Sequence, residues 1–84
     1  MRLAKSVKFR EEKFGGVLFE TRSEKVFTLN PTAAAVVREI QAGRAEHEIG
    51  PVLSERFEGG EGVIEMEVEA FIAALRQQGF TQEI

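Results

Sequence analysis

The chain contains no cysteine, tryptophan, tyrosine or aspartate, and it has one histidine and two prolines. Without thiols there are no disulfides, no thiolate nucleophiles and none of the usual cysteine zinc sites. Without aspartate there are no aspartate dyads. Ser6, Ser23 and Ser54 have no base close by in sequence, which argues against a nucleophilic triad. His47 lies in "AEHEI", and glutamates adjacent in sequence do not share its helix face, so it reads as a solvated or capping residue rather than a metal ligand. The doublets at Gly15 and Gly59 fit turns, and neither is followed by the Lys-Ser/Thr of a phosphate loop. These absences point to a protein that binds rather than catalyses, with no cofactor and no metal. No run of 18 apolar residues and no signal-like apolar block at the start are present, so a cytoplasmic, non-membrane protein is expected.

What remains suits one small domain spanning residues 1–84. Hydrophobic residues make up 43% of the 84 positions, enough for a core, and 30% are charged. Chains of this size bury roughly 60–65% of their unfolded surface, so one modest core is expected. Charge is unevenly distributed. Residues 1–30 hold seven Lys/Arg against four Glu, and residues 31–84 hold four Arg against ten Glu, consistent with the net charge of −3.

Three short segments alternate apolar and polar residues with the period of two that marks strands. In "VKFRE", Val7 and Phe9 alternate with Lys8 and Arg10. In "VLFET" and "KVFTL", Val17/Phe19 and Phe27/Leu29 alternate with Leu18/Glu20 and Val26/Thr28. The short links "KFGG" and "TRSE" predict an antiparallel meander. The second half predicts three helices. The first has Asn30 as N-cap, Pro31 in its first turn and Gly43 just past its end, with a stripe of Ala33, Val36, Val37 and Ile40. The second is marked by Ile49, Val52, Leu53 and Phe57. Pro51 within it predicts a loose turn over residues 46–49 and a firm helix afterwards. After a flexible "EGGEG" loop, the third helix opens with Glu61, Glu65, Glu67 and Glu69. It carries the apolar residues Ile64, Val68, Phe71, Ile72 and Leu75, with Ile64, Val68 and Leu75 facing the core, and it stops at Gly79 with Phe80 folded back in a Schellman ending. Strands followed by helices predict an α+β fold: a three-stranded antiparallel meander followed by a three-helix winged helix-turn-helix.

Two binding functions compete. A winged-helix DNA-binding regulator would use the third helix as its reading head. Yet that helix carries four glutamates at its start and only Arg76 as a base, whereas DNA affinity rests largely on neutralising phosphates. Peptide binding draws on the strands. The first strand is defended at its edge by Lys5, Lys8 and Arg10, but the third, Lys25, Val26, Phe27, Thr28 and Leu29, is not. An undefended edge can accept an added strand. One flank of the third helix, Glu67, Ala70, Phe71, Ala74 and Gln78, is mostly small or apolar and would form the opposite wall. The same edge permits a strand-mediated homodimer.

The joint "VFTLNPTAAAVV", the segment "GRAEHEIGPVLSERF" and the closing "EVEAFIAALRQQGF" resemble the PqqD-like proteins, or RiPP recognition elements, over roughly residues 7–82. The resemblance implies a meander with a trihelical winged-helix unit. It also implies a protein that binds the leader segment of a ribosomally made precursor peptide as an added strand, between the third strand and the third helix. Such proteins present the peptide to a modifying enzyme, often a radical SAM enzyme with iron–sulfur clusters. A smaller branch serves lasso-peptide assembly with a leader peptidase. Two departures concern the second helix: Ala45 stands where members often have a capping Ser or Thr, and Gly50-Pro51 interrupts the helix.

Overall fold

The computed structural model describes residues 1–60 and 62–83. Glu61, expected at the opening of the third helix, lies outside the described residues. Eight elements follow one another: β1 (Arg2–Leu3), β2 (Val7–Glu12), β3 (Gly15–Glu20), β4 (Lys25–Leu29), α1 (Pro31–Gln41), α2 (Glu46–Arg56), α3 (Val63–Gln77) and β5 (Thr81–Gln82).

The three expected strands form an antiparallel sheet in the order β2-β3-β4. Cross-strand register pairs Phe9 with Leu18 and Leu18 with Phe27, so these three side chains share the face covered by the helices. Lys8, Phe19 and Val26 share the outer face. The β3–β4 turn is held by Glu20, whose carboxylate accepts hydrogen bonds from the Ser6 hydroxyl, from the Ser23 backbone N–H at 2.6 Å and hydroxyl at 2.9 Å, and from the Arg22 N–H at 2.9 Å. These donors, Ser6 foremost, hold the Glu20 pKa down at about 2.

The helix ends follow their sequence signals. Asn30 caps α1 by accepting from the Ala33 N–H at 2.8 Å, with Pro31 in the first turn. Both α1 and α3 close with a Schellman pair. Arg44 N–H donates to Glu39 O and Gly43 N–H to Ile40 O, and likewise Phe80 N–H donates to Leu75 O and Gly79 N–H to Arg76 O. The last of these turns sinks Phe80 into the core with Leu18, Leu29, Val36, Val37, Leu53 and Leu75, all essentially inaccessible to water.

Two features depart from expectation. Helix α2 is regular from Glu46 onward, with Pro51 inside it, rather than loose over its first turn. Pro51 stands six residues into the helix, so it forfeits one backbone bond, to the His47 carbonyl. Burial of Ile49 and Leu53 on either side of it keeps the helix formed. Ala45 indeed provides no side-chain cap. In addition, the chain termini meet: β1 pairs antiparallel with β5, with Arg2 opposite Gln82 and Leu3 opposite Thr81, and the Ala4 N–H donates to Phe80 O. Glu39, buried near the end of α1, is gripped by Arg44 and by Arg56 from α2, which ties the first two helices together.

Candidate functional site

Sheet order makes β4 an edge, since it pairs with β3 on one side only. Alternate residues of an antiparallel edge strand turn their N–H and C=O groups away from the sheet. The chain leaves β4 and enters α1 through Asn30 and Pro31, while α3 runs past the same edge. Together they enclose a groove of about 230 Å³.

The groove is built from three elements. β4 contributes Phe27, Thr28 and Leu29, α3 contributes Glu67, Val68 and Phe71, and Asn30 with the start of α1 contributes Thr32, Ala33 and Val36. Its apolar wall is set by an aromatic cluster. Phe27 meets Phe71 edge to face, and it also meets Phe80 at 4.9 Å between ring centroids. At its polar end, Asn30 Nδ2 donates to Glu67 Oε1 at 3.1 Å, which joins the start of α1 to α3 across the groove.

Gly15 makes this geometry possible. Its φ is +142°, and a Cβ there would lie 2.1 Å from the carbonyl oxygen of Leu29 and 2.6 Å from the carbonyl carbon of Asn30. Only glycine lets the start of β3 press against the strand-to-helix joint.

The expected site residues divide accordingly. Phe27, Thr28, Leu29, Glu67 and Phe71 line the groove. Leu29 is buried as a whole residue, so it closes the inner end of the groove and leaves Phe27 and Thr28 as the accessible part of β4 there. Lys25 and Val26 lie on the open edge before the groove begins, and Val26 is 56% exposed. Ala70, Ala74 and Gln78 fall outside the lining, further round and along α3. The contribution from α1 was not anticipated from sequence. The Asn30-Pro31 signal announced a helix start beside the edge strand, but not which face of its first turn would look into the groove.

Among the described residues no group of His, Asp, Glu or Cys could hold a metal ion. No helix is long and apolar enough to cross a membrane among those residues either.

Two solved structures share this architecture. One is described as lasso peptide synthetase B1 complexed with the leader peptide, at 24% identity and a TM-score of 0.80, covering 98% of this chain and 96% of that one. The other is TbiB1 in complex with the TbiA(beta) leader peptide, at 15% identity and a TM-score of 0.80, covering 100% and 99%. No curated protein sequence matches the chain. Residues 15–80 match the family model of coenzyme PQQ synthesis protein D. That span runs from the glycine that seats the β4–α1 joint to the phenylalanine that closes α3, and the chain belongs to the PqqD family.

Proposed function

We propose that this protein captures the leader segment of a ribosomally made precursor peptide as a strand added to β4, and presents the rest of the peptide to a modifying enzyme. It acts as a binding protein without catalysis of its own. The observation that carries this reading is the open β4 edge facing a groove walled by Phe71 and Glu67. Family membership supports it, and both solved structures of the same fold hold leader peptides.

The energetics suit a specific but reversible binder. A five-residue edge offers about four to six ladder hydrogen bonds at about 1 kcal/mol net each. Ordering a flexible leader consumes much of that gain. Apolar leader side chains buried against Phe27, Ala33 and Phe71, at about 25 cal/mol per Å², then set the affinity, with a Kd in the micromolar range or somewhat tighter. Lys25 and Val26 extend the ladder, and Ala70, Ala74 and Gln78 flank the longer leader. The exposed Glu67 in this groove, with Glu65 and Glu69 on the other flank of α3, disfavours nucleic acid along the helix.

The partner enzyme in this reading is of the radical SAM class. A second reading, a lasso-peptide pathway with a leader peptidase, is favoured by the description of one structural neighbour as a lasso peptide synthetase subunit. Co-purification with each class of enzyme encoded beside the gene separates the two.

An amide NMR titration with a leader peptide encoded beside the gene, and duplex DNA as control, tests the binding. Shifts are expected over residues 25–33 and 67–78, with DNA silent. N-methylation of alternate leader residues should abolish binding in one register and spare it in the other. Binding insensitive to N-methylation, or shifts with DNA alone, would overturn the reading.

A further inference from the structure

A second and larger groove, of about 630 Å³, runs between α2 and α3 on the flank of α3 turned away from β4. Gly50, Val68 and Ile72, all buried, form its floor, Pro51 and Ala73 supply its exposed apolar surface, and Glu46, Glu65, Glu69 and Arg76 stand along it with His47. Gly50 keeps the two helices close: a Cβ there would already touch Glu65 Cγ at 3.3 Å. Beside the groove on α3, Met66 is 69% exposed. Ala73, on the rim, follows Met66 by seven residues and so lies on the same helix face. Val68 lines both this groove and the one beside β4. The helix is a shared wall, and both grooves can be filled at once.

Charge selects the occupant. Arg76 is already bound by Glu46 and Glu83. Among the described residues Glu65 and Glu69 make no ion pair. An apolar trough edged by unneutralised carboxylates fits an amphipathic helix with Lys or Arg beside its apolar stripe. A second copy of this chain fits poorly, since residues 31–84 hold ten Glu against four Arg.

We propose that the α2–α3 groove is the docking surface for a basic amphipathic helix of a second protein. Under the proposed function that protein is the modifying enzyme, and the inference rests on that function for the partner's identity alone. Leader and enzyme then bind opposite flanks of α3, which holds the leader at a set position relative to the enzyme without competition between them.

The test titrates the labelled chain with a synthetic amphipathic helix of leucine and lysine, about five turns long. Amide shifts are expected at His47, Gly50, Glu65, Glu69 and Ala73, with β4 quiet. The double variant Glu65→Gln/Glu69→Gln should weaken binding about tenfold, while Glu24→Gln/Glu55→Gln, exposed carboxylates outside the groove, should leave it unchanged. Absence of shifts, shifts on β4, or equal weakening by both pairs would overturn the proposal. Leader affinity, measured in the same variants, should not move. Loss of leader binding with the groove response intact would defeat the leader reading and leave the groove standing, and the converse result would do the reverse.

Discussion

Phe27 on β4 and Phe71 on α3 meet edge to face, with ring centroids 6.1 Å apart and planes at 86°. The contact joins the edge strand to the helix that runs beside it, and both rings are only half buried. It sets the width of the groove while leaving aromatic surface for a ligand.

Replacing Phe71 with alanine should therefore weaken leader binding about tenfold, the loss expected for a half-buried aromatic contact. The fold should survive, with stability lowered by about 1–2 kcal/mol. Calorimetric titration and a denaturant melt on the same sample check both numbers.

Ala33→Leu is the complementary change. Ala33 is half buried and lines the groove from the first turn of α1, where leucine is also a good helix former. The larger side chain should occupy the groove, reduce leader affinity more than about tenfold and change the melting temperature little. Unaltered leader affinity would place the ligand elsewhere.

Gly15→Ala should be far more damaging than either. Its new Cβ would overlap the Leu29 carbonyl, and the backbone there has φ of +142°. A cost of about 3 kcal/mol or more is expected. Gly43→Ala, with φ of +84° but open space around it, should cost about 1 kcal/mol. Thermal melts of the two variants test the contrast.

Acid should loosen the β3–β4 turn. The folded Glu20 carboxyl titrates near 2, below its ordinary value of 4.5, because the Ser6 hydroxyl and the Ser23 and Arg22 groups bind its charged form. A depressed folded pKa contributes stability that is present above about 4.5 and is lost as pH falls toward about 2. Glu20→Gln should lower stability at neutral pH and flatten the slope between those limits. An unchanged slope would assign the acid sensitivity to other carboxylates.

Residues 7–43 were largely legible without coordinates. Alternation marked the three strands and their short links a meander, though not that Leu18 rather than Phe19 would turn to the helices with Phe9 and Phe27, and Asn30-Pro31 and Gly43 bound α1 through backbone rules that depend on local chemistry alone. The same holds for Gly79 and Phe80 at the end of α3. The candidate groove was half legible. Phe27, Thr28, Leu29, Glu67 and Phe71 followed from an undefended edge and the apolar flank of a helix. Thr32, Ala33 and Val36 did not, because their role depends on the angle at which α1 leaves the strand.

By itself, then, the sequence determined the elements, their caps and the edge left open, because period, capping and turn chemistry act over a few residues. Tertiary structure alone decided the rest. Two-residue strands such as β1 and β5 carry no periodicity, and they pair only because Phe80 is buried and brings the termini together. Pro51 remains inside α2 because burial of Ile49 and Leu53 offsets one lost hydrogen bond. The two grooves beside α3 exist because three helices and a sheet cannot close every gap around one rod, and no local rule specifies where those gaps fall.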